Sequence, residues 1–241
     1  MKEAMRTTLR ALSTVLIVSG TLLIADAAAT VAWQEPLSAL LGRINQDKAA
    51  GQLKQLERAG PTPLEQRALR ALPDVSRRVA FLARSLKRRA SEGQGVGRIV
   101  IPHIGASFVV VKGTSAGDLR KGPGIYSQTP FPGAPGTVAI AGHRTTYLAP
   151  FRHIDDLRRR DTIMLKMPYA TLTYAVEGTK IVQPTDLAVI KRVGYDRLVL
   201  TACHPLYSAA QRIVVFARLM RTEPTGAALG QPSAGRPARS S

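Results

Sequence analysis

The side chain with most chemical scope is Cys203, the only cysteine among 241 residues, near the end of Leu198-Val199-Leu200-Thr201-Ala202-Cys203-His204-Pro205. An ordinary thiol, with a pKa of about 8.5, is mostly protonated at neutral pH, so nucleophilic work needs a proton acceptor close by. Four histidines are available for that task. His204 is the immediate neighbour, but adjacent residues of an extended strand point to opposite faces, which disfavours direct pairing. His103 lies within an apolar strand segment and reads as structural, and His153, in FRHIDDLRRRD, reads as a surface turn or helix start. His143 differs: it follows the apolar run TVAIA, and Gly142 lets the chain turn sharply before it, which aims this imidazole into a groove.

Arg212 stands nine residues after the cysteine, at the start of RIVVFARL. Strand alternation puts Arg212, Val214 and Phe216 on one face and Ile213, Val215 and Ala217 on the other. A guanidinium on an otherwise apolar face needs a carbonyl, a carboxylate or a developing oxyanion to offset its desolvation, and an edge-strand salt bridge is the plain alternative. Cys203-His204 is a single pair without the second cluster that zinc spacing requires, and no glycine-rich phosphate loop follows a strand, so no metal or cofactor is expected. Asp155 and Asp156 are the one candidate carboxylate pair, and helix-end charge explains them better.

These residues must be positioned by elements that the hydrophobic pattern outlines. From the glycine cluster at 93–97 onward, GRIVIPHIGASFVVVKG, GTVAIAGH, DTIMLKM, TLTYAVEGTKIV, RLVLTAC and RIVVFARL are short β-branched runs between Gly, Pro and Asp turns. Six or more such strands with little helix between them suggest a closed barrel or a sandwich. Upstream, from Pro36 to Glu92, the period is helical. Leu37, Leu40, Leu41 and Ile44, then Leu53 and Leu56, form one stripe. Thr62-Pro63-Leu64-Glu65 reads as a capping box with proline at the first helical position, opening a helix that Pro73 ends. A third helix carries Val75, Val79, Leu82 and Leu86 on one face. The tail from Thr222 is rich in Pro, Gly and Ser and reads as disordered.

Lys2, Arg6 and Arg10 precede an apolar run from Ala11 to Trp33 whose one charge is Asp26. As a helix it reaches roughly 35 Å, enough to cross a hydrocarbon core, with the amino terminus inside and Trp33 at the outer interface. A cleaved signal peptide is the competing reading, since Ala27-Ala28-Ala29 offers a processing site. Either way the remainder is exported. The net charge of +18 favours anionic partners, yet aromatics are only 5% and no recognition motif accompanies the charge, which argues against nucleic acid. One cysteine excludes an intramolecular disulfide, so the core alone must hold the fold.

Taken jointly, AGHRTTYLAPF around His143, LVLTACHP around Cys203 and AAQRIVVFARL around Arg212 resemble the sortases, membrane-anchored cysteine transpeptidases of bacteria, over about Gly97 to Arg221. GHRTTYLAPF and CHP are most similar to class E, the type found in actinobacteria. The resemblance implies a mainly β fold, a closed barrel of about eight strands. It also implies this organisation: 1–33, cytoplasmic start and transmembrane anchor; 34–96, helical stalk; 97–221, catalytic barrel; 222–241, tail. It implies Cys203 as nucleophile, His143 as general acid and base, and Arg212 as donor to the oxyanion. Tyr126 and Thr201 are expected to contribute to the substrate groove. Many sortases have threonine directly before the cysteine; here Ala202 holds that place and Thr201 lies one residue earlier. The partners implied are secreted proteins with a C-terminal LPxTG-like or LAxTG sorting signal and the free amine of a peptidoglycan precursor. Two other classes compete: an exported Cys/His peptidase or wall hydrolase, and a non-catalytic basic envelope-binding module.

Overall fold

The computed structural model describes residues 2–32 and 36–229; Trp33, expected at a membrane interface, lies outside them. Helix α1 (Lys2–Ala32) contains an apolar stretch, Thr8–Ala27, long enough to cross a membrane. Its Leu12, Leu16, Leu23 and Ile24 side chains face outward with no protein to cover them.

Three helices follow: α2 (Pro36–Ala59), α3 (Pro63–Arg70) and α4 (Val75–Arg89). The capping box opens α3 as expected, Glu65 N donating to Thr62 Oγ1 (3.3 Å) and Thr62 N to Glu65 Oε2 (2.7 Å). Glu65 also accepts from buried Ser85 and pairs with Arg89, which ties α3 to α4. On α4, Val79, Leu82 and Leu86 enter the main core, whereas Val75, in the first turn, is exposed. The stripe expected on α2 is corrected. Leu40, Leu41 and Ile44 are exposed, whereas Leu53 packs as expected, with Ala49, on Val109 and Val111, and Leu56 packs against the main core. The reason is polar: Gln46 both donates to Val109 O (3.0 Å) and accepts from Val109 N (2.8 Å), and Gln52 accepts from Gly95 N (3.0 Å), which fixes the rotation of α2 against the sheet.

Eight strands close into a barrel: β1 (Gly95–Ile101), β2 (Ala106–Lys112), β3 (Gly124–Ile125), β4 (Thr137–Ala141), β5 (Thr162–Met167), β6 (Ala170–Val182), β7 (Arg197–His204) and β8 (Gln211–Pro224), in the order β1-β2-β3-β4-β7-β8-β6-β5 with β5 returning to β1. Closure leaves no long free edge and decides barrel over sandwich. A short helix α5 (Ala116–Leu119) precedes β3. Two pairings are parallel, β2 with β3 and β4 with β7. His103 is not in a strand: Pro102–Ile104 form a 3-10 turn that Gly105 ends at φ 62°, and His103 Nδ1 meets Asp161 at 3.3 Å. A proline at the turn's start and a glycine at its end outweigh the flanking apolar residues.

Alternation along the strands sorts side chains into two groups. Val138, Ile140, Leu198, Leu200, Ala202, Ile213, Val215 and Ala217 join the main core. Ala139, Val182, Val199 and Val214 form a separate cluster on the other face, covered in part by Tyr126, Val189, Ile190 and Phe216. The tail expectation is corrected between 222 and 229. β8 runs on to Pro224 against Ala170, and the turn Gly226–Leu229 buries Ala228. Long-range pairing with β6 supplies order that local composition does not show. Residues 230–241 lie outside those described.

Candidate active site

Cys203 and Arg212 are cross-strand partners in the antiparallel β7–β8 ladder, so their side chains leave the sheet side by side. On the other flank β4 runs parallel to β7 with Ala141 opposite Thr201, and Gly142 N donates to Thr201 O at 3.0 Å, extending that register past the strand's end. One step further along both chains come His143 and Cys203. The histidine, cysteine and arginine therefore belong to three adjacent chain segments at one end of the barrel. Cys203 is half-buried and free. It continues the face of Val199 and Thr201, outside the main core.

Gly142 is needed for a reason other than the turn expected of it. It is not among the positive-φ glycines, but a Cβ there would meet the ring of Phe151 at 2.5–2.9 Å. Phe151, fully buried, also donates its backbone N–H to His143 O (2.9 Å), so it packs the histidine segment down on the barrel. Further along, Tyr147, Leu148 and Ala149 are three consecutive non-glycine residues with φ between 42° and 66°. Each left-handed residue costs on the order of 1 kcal/mol or more, so the turn persists only because its surroundings determine it.

The imidazole of His143 lies 5.5 Å from the ring of Tyr147, and its Nε2 is buried with no hydrogen-bond partner among the described residues. Burial, with a further push from the Arg120 guanidinium, holds its pKa below the ordinary histidine value. It is thus a neutral base at neutral pH. Arg212 Nη1 donates to Ala209 O (3.0 Å) and Gln211 O (2.8 Å), and no carboxylate pairs with it among the described residues. The edge-strand salt bridge is therefore absent there. Tyr126 Oη and Thr201 Oγ1 are hydrogen-bonded at 3.0 Å on the same face as the thiol, Thr201 almost fully buried. That bond gives Thr201 a structural partner across β3 and β7.

His204 pairs in register with Gln211 and lies on the face opposite Cys203; its Nδ1 is buried without a partner. His153 is a surface residue meeting Asp156 at 3.4 Å. Asp155 and Asp156 stand in the short 3-10 turn Ile154–Asp156, and Asp155 has a further role: it accepts from Arg144 Nη2 at 2.7 Å. Arg144, only 4% exposed, also donates to Arg152 O through Nε and Nη2 (3.2 Å each) and reaches Cys203 O through Nη1 (3.5 Å). Arg144 and Tyr147 both stand within HRTTY, yet the sequence does not single them out: their contacts with Arg152, Asp155 and His143 depend on an irregular loop with no periodicity to reveal them. Among the described residues no three acidic, histidine or cysteine side chains converge as a metal site.

A closed eight-strand barrel with Cys, His and Arg on adjacent segments defines a cysteine acyl-transfer enzyme of sortase architecture. The Sortase domain family matches residues 99–220, half of the chain, and the chain belongs to that family of cysteine transpeptidases. Sortase D of Bacillus subtilis (strain 168) is 30% identical over 170 residues, which is 69% of this chain and 81% of that protein. Among solved structures, sortase E from Streptomyces avermitilis superposes with a TM-score of 0.51 at 34% identity, over 61% of this chain and 99% of that one. Sortase E1 from Streptomyces coelicolor, solved with a tripeptide in its active site, gives 0.52 at 25% identity, over 59% and 96%.

Proposed function

We propose that the protein cleaves an LPxTG-like or LAxTG sorting signal between threonine and glycine and joins the shortened protein to the free amine of a peptidoglycan precursor. The register carries this reading: Cys203 beside Arg212 across β7–β8, with His143 following β4 in parallel with the end of β7. In the first half-reaction the Cys203 thiol passes its proton to His143, and Sγ attacks the threonine carbonyl carbon. The oxyanion so formed accepts hydrogen bonds from Arg212, whose fixed guanidinium needs little reorganisation. As the C–N bond breaks, His143 gives the proton to the departing glycine amine, leaving a thioester on Cys203. In the second half-reaction His143 takes a proton from the acceptor amine, which attacks the thioester. The Cys203 thiolate leaves and takes that proton back from His143, and a new amide remains. Tyr126 and Thr201, joined on the outer face over the buried Val199 and Val214, help wall the groove for the sorting signal. A neutral His143 suits this role, since an imidazole already protonated cannot accept from the thiol.

The enzyme is proposed to span the cell membrane once through α1, with Lys2, Arg6 and Arg10 inside and the barrel outside, where secreted substrates and precursors pass. The test is the full chain in detergent, incubated with LPxTG and LAxTG peptides and a glycine-type amine and read by mass spectrometry. Expected are a thioester on Cys203 and, with amine present, a ligated product. Arg212→Ala should reduce kcat about 100- to 1000-fold, and Cys203→Ala and His143→Ala should abolish turnover. Wild-type turnover by Cys203→Ala sinks the proposal. Hydrolysis that no added amine diverts would assign a peptidase instead.

A further inference from the structure

The segment that joins α1 to the barrel reaches the histidine loop. Gly42, buried on α2, approaches the left-handed turn after His143 so closely that a Cβ would lie 2.9 Å from Leu148 Cγ and 3.0 Å from the carbonyl carbon of Tyr147. One turn further along α2, Asn45 Nδ2 donates to Arg120 O (3.2 Å) and Gln46 Nε2 to Lys121 O (2.6 Å). Arg120 in turn stands 5.8 Å over the Tyr147 ring, whose other neighbour is His143. A chain of contacts thus runs from α2 on both sides of Tyr147 to the imidazole.

We propose that α2 is part of the active site: Gly42 seats the Tyr147–Ala149 turn, Asn45 and Gln46 seat Arg120, and Tyr147 held between them positions His143. Gly42, Arg120 and Tyr147 are positioning residues, since none need touch the substrate. Three adjacent left-handed residues without glycine require an outside constraint, and Gly42 is in contact with two of them. A glycine inside a helix carries a conformational penalty, and here close backbone approach accounts for it. The same helix offers its own control. Gly51 is also helical, but a Cβ there meets nothing within 4 Å.

The inference rests on His143 being the acid and base of the proposed reaction, so the test includes a readout independent of turnover. In full chain labelled at histidine carbons, the His143 resonance is assigned by His143→Asn and titrated by NMR; kcat and KM for thioester formation are measured alongside. The ionisable groups about that ring are Arg120, from the end of α5, Tyr147 on its own loop and, across the β4–β7 register, Cys203 with Arg212 beside it on β8. Gly42→Leu is expected to loosen the loop, expose the imidazole and raise its titration midpoint. It should lower kcat about tenfold or more with KM little changed. Gly51→Leu should leave both at wild-type values. Gly42→Ala adds the smallest side chain that meets the turn, and its gain in helix propensity offsets part of the clash, so it should stay folded with a melting temperature near or somewhat below that of wild type while kcat falls. If Gly42→Leu fails to fold, Gly42→Ala decides. A wild-type titration midpoint and wild-type kcat in the folded Gly42 variants overturn the proposal. If the wild-type chain forms no thioester while Gly42→Leu still shifts the titration, the contact stands and the sortase reading of His143 falls.

Discussion

Arg144 carries a full charge at 4% exposure, and removing such a group from water is tolerated only when its donors are matched. Asp155 and the carbonyls of Arg152 and Cys203 do this, so one guanidinium joins the histidine segment, the 3-10 turn that follows it and the backbone of Cys203. Lysine keeps the charge but not the fork. Arg144→Lys is therefore expected to destabilise the fold by about 1–3 kcal/mol and to lower kcat more than it raises KM. Asp155→Asn, altered on the exposed side of the pair, should do the same more mildly; chemical denaturation and thioester kinetics check both. His143 adds a pH dependence. Its folded pKa is below the ordinary value of 6.5, because of burial first and Arg120 second. Above 6.5 both folded and unfolded chains hold it neutral and it contributes nothing. As pH falls through 6.5, the unfolded chain binds a proton that the native site refuses, so stability is lost until the folded pKa is reached. His143→Asn is expected to flatten that part of the stability curve, measured by denaturant melts between about pH 7 and 5.

At the scale of elements, the parallel contact of β4 with β7 decides the candidate site, because it sets the histidine loop beside the strand of Cys203 without a hairpin between them. Gly142 is the hinge of that contact. In Gly142→Ala the new Cβ would fall on the buried Phe151 ring, and a fully buried aromatic has nowhere to retreat. We expect a loss of about 1–3 kcal/mol together with a fall in kcat, detected by thermal melts and turnover of a sorting peptide. That pairing also marks how far the sequence could be read. The strand runs, the Thr62–Glu65 capping box and the apolar face of α4 are local signals, and each corresponds to an element at the expected place, except that the first strand run is split in two by the turn at Pro102–Ile104. β3, of two residues, has no periodicity to detect, yet it bridges β2 to β4 and completes closure. The rotation of α2 is set by two glutamines reaching the edge of a sheet 43 and 63 residues away, which no helical stripe encodes. Likewise Cys203, His143 and Arg212 stand out by type and motif, while the Arg144–Asp155 clamp is invisible until the 3-10 turn brings Asp155 back.

For the whole molecule, two features with different physics bear on where the barrel works: a net charge of +18 and one uncovered apolar helix. Charge alone holds a protein to an anionic surface reversibly, and at 1 M salt, where the Debye length is about 3 Å, that hold is lost. The twenty-residue, mostly apolar stretch from Thr8 to Ala27 spans about 30 Å of hydrocarbon as a helix, and its burial in lipid is indifferent to salt. Among the described residues nothing covers the exposed Leu, Ile and Val side chains of α1. The full chain is therefore expected to remain with membranes through a 1 M salt wash and to be released by detergent. Intact mass should show Lys2, Arg6 and Arg10 still attached; a product starting near Ala29 would instead identify α1 as a removed signal. A chain in which Leu12, Leu16, Leu23 and Ile24 are replaced by serine should appear in the soluble fraction or fail to be exported. Since α2 follows α1 after only residues 33–35 and then meets the histidine loop through Gly42, the anchored and released forms should also differ in kcat if the pull of the membrane is felt at α2. Equal kcat in both forms would confine the anchor to placement of the enzyme beside its substrates.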